Sequence, residues 1–246
     1  MNVSARRALL NYLEFLKNSG FLYMNDDGRS TSPPAPAPGP AVITDTGRPR
    51  ASLEELAAAV ADCRACELHA GRTRPVFADG PPDARIAFVG EAPGAEEDRQ
   101  GVPFVGRAGQ LLDKMIEAIG LSREEVYICN TLKCRPPGNR DPLPAEKKAC
   151  ERFLIGQLEL VRPCLLVALG AHAANFLCAT DGSLGRLRGQ WHAYRGIPLR
   201  VTYHPSFLLR PTGVRYKPEA WKDFQEIHRK YCELNPDDVR PIWARG

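Results

Sequence analysis

The chain has 246 residues, 43% of them hydrophobic, and carries a formal charge of +4. That length supports one sizeable α/β domain with a real core, and no apolar run approaches the ~20 residues needed to cross a bilayer. An export signal is also excluded: the leucines after Arg6 and Arg7 are interrupted by Asn11, Glu14 and Lys17, with no small-residue cleavage site behind them. A cytoplasmic location is the expectation.

Taken in chain order, residues 5–18 place Leu9, Leu13 and Leu16 at helical spacing. They predict an N-terminal helical appendage within residues 1–30, either weakly docked on the main domain or a tether for a partner protein. The run TSPPAPAPGPAVITDTGRPR follows; its prolines make residues 31–51 a semi-extended linker. The principal domain is expected over 52–232, with 233–246 as a tail. It opens on SLEEL, where Ser52 and Glu55 have capping-box spacing.

Four short apolar runs then read as buried strands: RIAFVG, VYICN, CLLVALG and PLRVTYHP. The helical segments AGQLLDKMIEAIG, PAEKKACERFLIGQLELV and GAHAANFLCA separate them. Such alternation predicts crossover connections and a parallel sheet with helices on both faces. Sheets of this kind place their sites outside the carboxyl ends of the strands. The residues there are Glu91, Asn130, Gly170 and His204. The first strand also poses a puzzle. FVGEAPGAEED has the glycine turn of a phosphate loop, yet Glu91, Glu96, Glu97 and Asp98 would repel phosphate. No G-x-G-x-x-G and no P-loop lysine accompany it, which excludes a nucleotide module.

An amide, an imidazole, a carboxylate and the nearby aromatic Phe104 suit a small site that reads a flat polar ring. An Asn side chain pairs bidentately with a base edge, and an aromatic stacks on the base face. A His can donate to an oxygen that becomes negative as a bond breaks. Acids can position water or stabilise positive charge growing on a sugar. From Gly182 to Pro218 there is no acidic residue, while Arg186, Arg188, Arg195, Arg200, Arg210, Arg215 and Lys217 fall there among Trp191, Tyr194, Tyr203 and Phe207. That pattern predicts a polyanion-facing surface.

The eight cysteines point to metal ligation or burial rather than disulfides. Cys63 and Cys66 form a C-x-x-C, and Cys134 and Cys150 follow downstream, a set suited to four-thiolate ligation. Spacing leaves zinc and iron–sulfur both open. Cys129, Cys164 and Cys178 read as core, and Cys232 as incidental. His69, His172, His192 and His228 belong to no motif.

Four segments carry a resemblance: GEAPGAEED, GVPFVGRAGQLLDKM, NTLKCRPPGNRDPLP and HPSFLLR, in unbroken order. They resemble the signature segments of family 4 uracil-DNA glycosylases, the iron–sulfur type of bacteria and archaea. The likeness runs from about Leu53 to near Tyr231 and leaves the N-terminal helix and linker uncovered. It implies a three-layer α/β/α sandwich on a central four-stranded parallel sheet, and hydrolysis of uracil from DNA by base flipping to leave an abasic site. Carried over by position, Asn130 would recognise the uracil edge and Phe104 would stack on it. Gly90, Ala92 and Gly94 would line the pocket, and Glu97 would crowd the uracil C5 position. Glu91 and His204 would be catalytic. Ser206 and Arg210 would grip the DNA backbone, with Leu208 or Leu209 as a wedge. Cys63, Cys66, Cys134 and Cys150 would hold a [4Fe–4S] cluster.

The implied partner is uracil-containing DNA, double- or single-stranded, met by a monomer associated with the nucleoid in a prokaryote; the N-terminal helix would tether it to a repair or replication protein. The competing reading is a protein that binds or crosslinks uracil-DNA on the same scaffold. Relatives of that type carry a basic, histidine-containing insertion after the second strand and read GEQPG in the first motif. Here the corresponding stretches are LKCRPPGNRDP and GEAPG, which favours the hydrolase.

Overall fold

The structure is a computed structural model that describes residues 52–238. The expected N-terminal helix and the linker lie outside the described residues. The centre is a sheet of β2 (Ile86–Gly90), β3 (Tyr127–Asn130), β4 (Leu165–Leu169) and β6 (Ile197–Thr202), all parallel, in the order β3-β2-β4-β6. Every residue of β2, β3 and β4 is buried, which is why these strands read as unbroken apolar runs.

The expected four parallel strands form the centre, and the sheet extends to six. Two short strands, β1 (Ala78–Asp79) and β5 (Trp191–Tyr194), add antiparallel edges beside β3 and β6. Both are largely half-exposed. With one face in solvent and only two to four residues each, they carry no apolar run for a pattern search to find.

Helices cover both faces. On one side α5 (Pro144–Val161) and α6 (Ala171–Leu177) bury Leu154, Leu158, Val161, Ala173 and Ala174 against Ala87 and Val89. On the other, Phe88 stacks on Phe224 of α9 (Lys217–Leu234) at 6.1 Å. Successive β2 side chains thus serve opposite layers, as the pleat requires. The α/β/α expectation holds. The first helix, α1 (Leu53–Ala61), starts on the expected box: Ser52 Oγ accepts from Glu55 N at 3.1 Å, and Ser52 N donates to Glu55 Oε2 at 2.7 Å. The remaining helices are α2 (Leu68–Gly71), α3 (Ala95–Gln100), α4 (Arg107–Ala118), α7 (Leu184–Leu187) and α8 (Pro205–Leu208). Among the described residues, no helix is long and apolar enough to cross a membrane.

From β2 the chain goes to β3 on one side and later to β4 on the other. The carboxyl end of β2 is therefore the switch point where open α/β sheets form a crevice. The turn GEAPG occupies it.

Candidate active site

Gly90 ends β2 directly opposite Asn130 at the end of β3. The turn is pinned there by Leu132 N and the Thr131 hydroxyl, which donate to the Glu91 carbonyl at 2.9 and 2.6 Å. Asn130 is only 2% exposed, yet its Oδ1 accepts no hydrogen bond from the protein. A Cβ on Gly90 would lie 2.4 Å from that oxygen and 2.5 Å from Phe104 Cζ. Glycine alone leaves room for the amide and the ring to meet at this strand end. A buried acceptor with no donor costs about 1–3 kcal/mol, and this oxygen bears that cost at the strand end.

Phe104 sits in the loop between α3 and α4, buried and with φ +53°. A bulky residue in that region costs on the order of 1–3 kcal/mol and persists only where the surroundings impose it. Here the Arg123 guanidinium imposes it, donating to the Phe104 carbonyl at 3.0 Å and to Pro103 O at 2.6 Å. Asp113 and Asp79 hold the same guanidinium at 2.7 and 2.8 Å. The loop also rests on Gly109 of α4, where a Cβ would come within 1.8 Å of the Phe104 carbonyl oxygen. The Phe104 ring meets the His204 ring at 5.6 Å between centroids.

His204 follows β6 and caps α8. Its Nδ1 accepts from Ser206 N at 3.1 Å and lies 2.8 Å from Ser206 Oγ. With Nδ1 taken as acceptor, the ring proton is on Nε2. Burial pushes the imidazole down to about 4, and Arg210 and His172 push the same way. His204 is therefore a neutral donor at neutral pH.

The acids of the turn divide their work, which resolves the puzzle of the sequence. Glu97 accepts from Gly94 N, Val105 N and Gly106 N at 3.1, 3.0 and 2.9 Å. It ties the GEAPG turn to the Phe104 loop, and so bears on the site through these two loops. Asp98 accepts from Thr73 N at 2.9 Å, and Glu96 pairs with Arg99 at the surface. Glu91 keeps its carboxylate for another neighbour. Its Oε2 lies 3.7 Å from His172 Nε2, and Asp141 Oδ1 lies 3.7 Å from the same nitrogen. Burial pushes the Glu91 carboxyl up, against His172 and Lys147, which pull it down. Ala92 packs toward the cysteine-side core.

His172 was invisible to motif reading, since GAHAAN belongs to no pattern. The topological rule contained the signal: His172 is two residues beyond Gly170, at the end of the third parallel strand. Lys133 was missed as well. It is 1% exposed, and its Nζ donates to the Asn130 carbonyl at 2.6 Å and to Gln157 Oε1 at 2.5 Å.

Cys63, Cys66, Cys134 and Cys150 line one cavity, together with Arg72, His69, Lys133 and Phe153. Arg72 Nη1 donates to Cys134 Sγ at 3.2 Å, and Lys133 N to Cys150 Sγ at 3.3 Å. Left as free thiols, two of them titrate high: Cys150 is pushed up to about 11 chiefly by burial, and Cys134 is raised by the same cause. Four sulfurs with cationic donors and no carboxylate in the lining fit an anionic four-thiolate centre.

The basic surface expected over 182–218 is smaller than the sequence suggested. Arg200 is 5% exposed and pairs with Asp223 at 2.9 Å. Arg188 pairs with Asp223 at 2.7 Å and also with Glu219. Arg195 pairs with Glu159. Acids on α5 and α9 neutralise a stretch that holds none of its own. Arg186, Arg210 and Arg215 stay exposed. Tyr203, Phe207 and Tyr216 pack on one another at 5.2 to 5.5 Å. The two wedge candidates also separate: Leu208 is fully buried in α8, whereas Leu209 is exposed.

The fold and site define an α/β protein with a carboxylate, an amide, an aromatic and a neutral imidazole at one sheet edge. Residues 77–225 match the model of the uracil DNA glycosylase superfamily. The chain is 48% identical over 164 residues to a type-4 uracil-DNA glycosylase of Thermotoga maritima, spanning 64% of this chain and 83% of that protein. It is 40% identical to the type-4 uracil-DNA glycosylase of Archaeoglobus fulgidus, over 74% of this chain and 93% of the relative. A type-5 uracil-DNA glycosylase of Thermus thermophilus matches at 36% over 57% of this chain and 73% of its own. The chain belongs to the uracil DNA glycosylase superfamily, on its type-4 branch.

Proposed function

We propose that the chain excises uracil from DNA by hydrolysing the N-glycosidic bond of an everted deoxyuridine, leaving an abasic site. The observation that carries this is the buried, unpaired Asn130 Oδ1 beside the Phe104 ring. Uracil offers an N3–H to that oxygen and a flat face to the ring; the pairing is one a thymine or uracil edge makes and a cytosine edge does not. Flipping the nucleotide costs a few kcal/mol, least where uracil is mispaired. Stacking on Phe104 returns roughly 1–3 kcal/mol of that.

The leaving group is a uracil anion. His204, neutral and with its proton on Nε2, donates to the uracil oxygen as negative charge builds there. A cation at this position would be stronger, but burial beside Arg210 and His172 disfavours it. The neutral donor is already in place and needs no reorganisation. Glu91 faces the opposite charge: its carboxylate stabilises the cationic sugar and orients the attacking water. Backbone around Gly90, Ala92 and Gly94 walls the pocket, and Glu97 keeps the turn and the Phe104 loop in register. Leu209 enters the base stack, Leu208 being core, while Ser206 and Arg210 contact the phosphates. Arg186 and Arg215 add charge, so binding falls as salt rises.

Cys63, Cys66, Cys134 and Cys150 are the residues that would hold a [4Fe–4S] cluster. Such a cluster would supply a covalent clasp joining the chain before α2, the loop that carries Cys134, and α5, which carries Cys150. The chain's own contribution is the hydrogen bonding to sulfur from the Arg72 guanidinium and the Lys133 backbone N–H. Purified protein is expected to be brown, with iron and sulfide in equal amounts.

The test is incubation with DNA bearing U:G, U:A or single-stranded uracil. Free uracil and an alkali-labile site are expected. A stable protein–DNA adduct with no free uracil would overturn the hydrolase reading in favour of a crosslinking protein.

A further inference from the structure

The group around His172 has no place in the chemistry above, yet it lies against the Glu91 carboxylate. His172 is the second residue of α6, at the carboxyl end of β4. Its Nδ1 lies 3.2 Å from Lys147 Nζ on α5. An ammonium has only donors, so Nδ1 must accept and the ring proton must sit on Nε2. That nitrogen faces Glu91 Oε2 and Asp141 Oδ1, each at 3.7 Å. Three elements that are distant in sequence thus meet at one imidazole: the turn after β2, the loop before α5, and the start of α6.

The set holds two carboxylates and an imidazole within 4.8 Å of one another, which by residue type resembles a metal site. The Lys147 ammonium on the other face of the ring argues against a cation there. A proton-bearing nitrogen between acids suits an orienting group.

We propose that His172, its tautomer set by Lys147, is a positioning residue that orients the Glu91 carboxylate at the mouth of the uracil pocket. The inference rests on the reading of Glu91 as the group nearest the sugar and water. A 3.7 Å separation is longer than a hydrogen bond. Catalytic hydrogen bonds are commonly long in the free enzyme and tighten when substrate arrives; a small rotation of Glu91 toward His172 Nε2 closes the gap. Asp141, 87% exposed, competes for the same proton and is free to turn to solvent when DNA docks.

The titratable groups that face the pair are the charged Lys147 on α5 and Asp141 on the preceding loop, and the neutral His204 after β6. Burial raises the Glu91 carboxyl first; His172 and Lys147 lower it, and Asp141 raises it. The sign follows. Glu91 acts as the carboxylate, so activity disappears as pH falls through its pKa. Removing His172 takes away a lowering influence, so this acid limb moves to higher pH.

The experiment measures single-turnover uracil release against pH for the full chain, with DNA affinity read separately. It compares wild type, His172→Ala, His172→Gln, Glu91→Gln and the Glu91→Gln/His172→Ala pair. His172→Ala should slow release about tenfold at neutral pH, leave DNA affinity unchanged and shift the acid limb upward. His172→Gln, whose amide N–H reaches toward the place of Nε2, should restore most of the rate. In the Glu91→Gln background His172→Ala should cost nothing further. Unchanged rate and acid limb in His172→Ala would overturn the inference, as would losses that multiply independently in the pair. If His172→Ala unfolds, Lys147→Met is read by rate on the pH plateau above the acid limb, since Lys147 itself lowers Glu91: slower release there supports the proposal, and a wild-type plateau overturns it. An active wild type with an indifferent His172 removes this inference alone, whereas a wild type that releases no uracil removes the functional reading with it.

Discussion

Two buried polar clusters sit on the same sheet and are built on opposite principles. Around Asp223 of α9, Arg200 and Thr202 of β6 and Arg188 satisfy one carboxylate at 2.7 to 3.0 Å. Around Asn130, at the end of β3, an amide oxygen is buried with no donor, a phenylalanine holds a left-handed backbone and an imidazole is kept neutral. In the first cluster the buried carboxylate is satisfied within the protein, although Arg200 Nε has no partner. In the second the unpartnered amide oxygen lies beside an aromatic ring at a strand end. The difference teaches that an unpaired polar atom alone does not mark a site: the one at Asn130 stands out because it lies where open α/β sheets form their crevice.

Breaking the Asp223 cluster should have the largest effect, and on stability. Asp223→Ala strands the buried Arg200 guanidinium and should cost about 3–5 kcal/mol, read by chemical denaturation, while the folded fraction still excises uracil. Asn130→Asp should do the reverse. It places a carboxylate against the uracil edge, and should slow release on the order of a hundredfold with the melting temperature little changed. Equal losses of stability in both variants would erase the distinction. A smaller effect sharpens it. Arg123→Lys keeps a cation near Asp79 and Asp113 but loses the fork that holds the Phe104 and Pro103 carbonyls. Uracil release should fall about tenfold, with KM rising more than kcat falls, because the stacking ring is displaced. An unchanged KM would mean that Phe104 is held by the loop alone.

Much of this was legible in the residues. The four parallel strands stand where the apolar runs are, and α5 spans the very segment that helical spacing indicated, because residues covered on both sides must be apolar whatever their partners. The edge strands β1 and β5 were not legible, since a strand wet on one face needs no such run. Of the strand ends, Glu91, Asn130 and His204 were found by the rule that sites gather there. His172 was missed because one helical turn past a strand, a histidine has no periodicity to betray it.

What the sequence determined by itself was the order and burial of the layers, and hence the edge on which the polar residues gather; hydrophobic period and turn chemistry are local and need no partner. What the tertiary structure decided was charge and engagement. It spent Arg188, Arg195 and Arg200 on acids from other elements, committed Glu97 to three backbone amides, put Leu208 in the core and Leu209 outside it, and left the Asn130 oxygen without a donor. Electrostatic pairing and hydrogen-bond satisfaction depend on which atoms meet through space, and a linear pattern of residue types does not contain that.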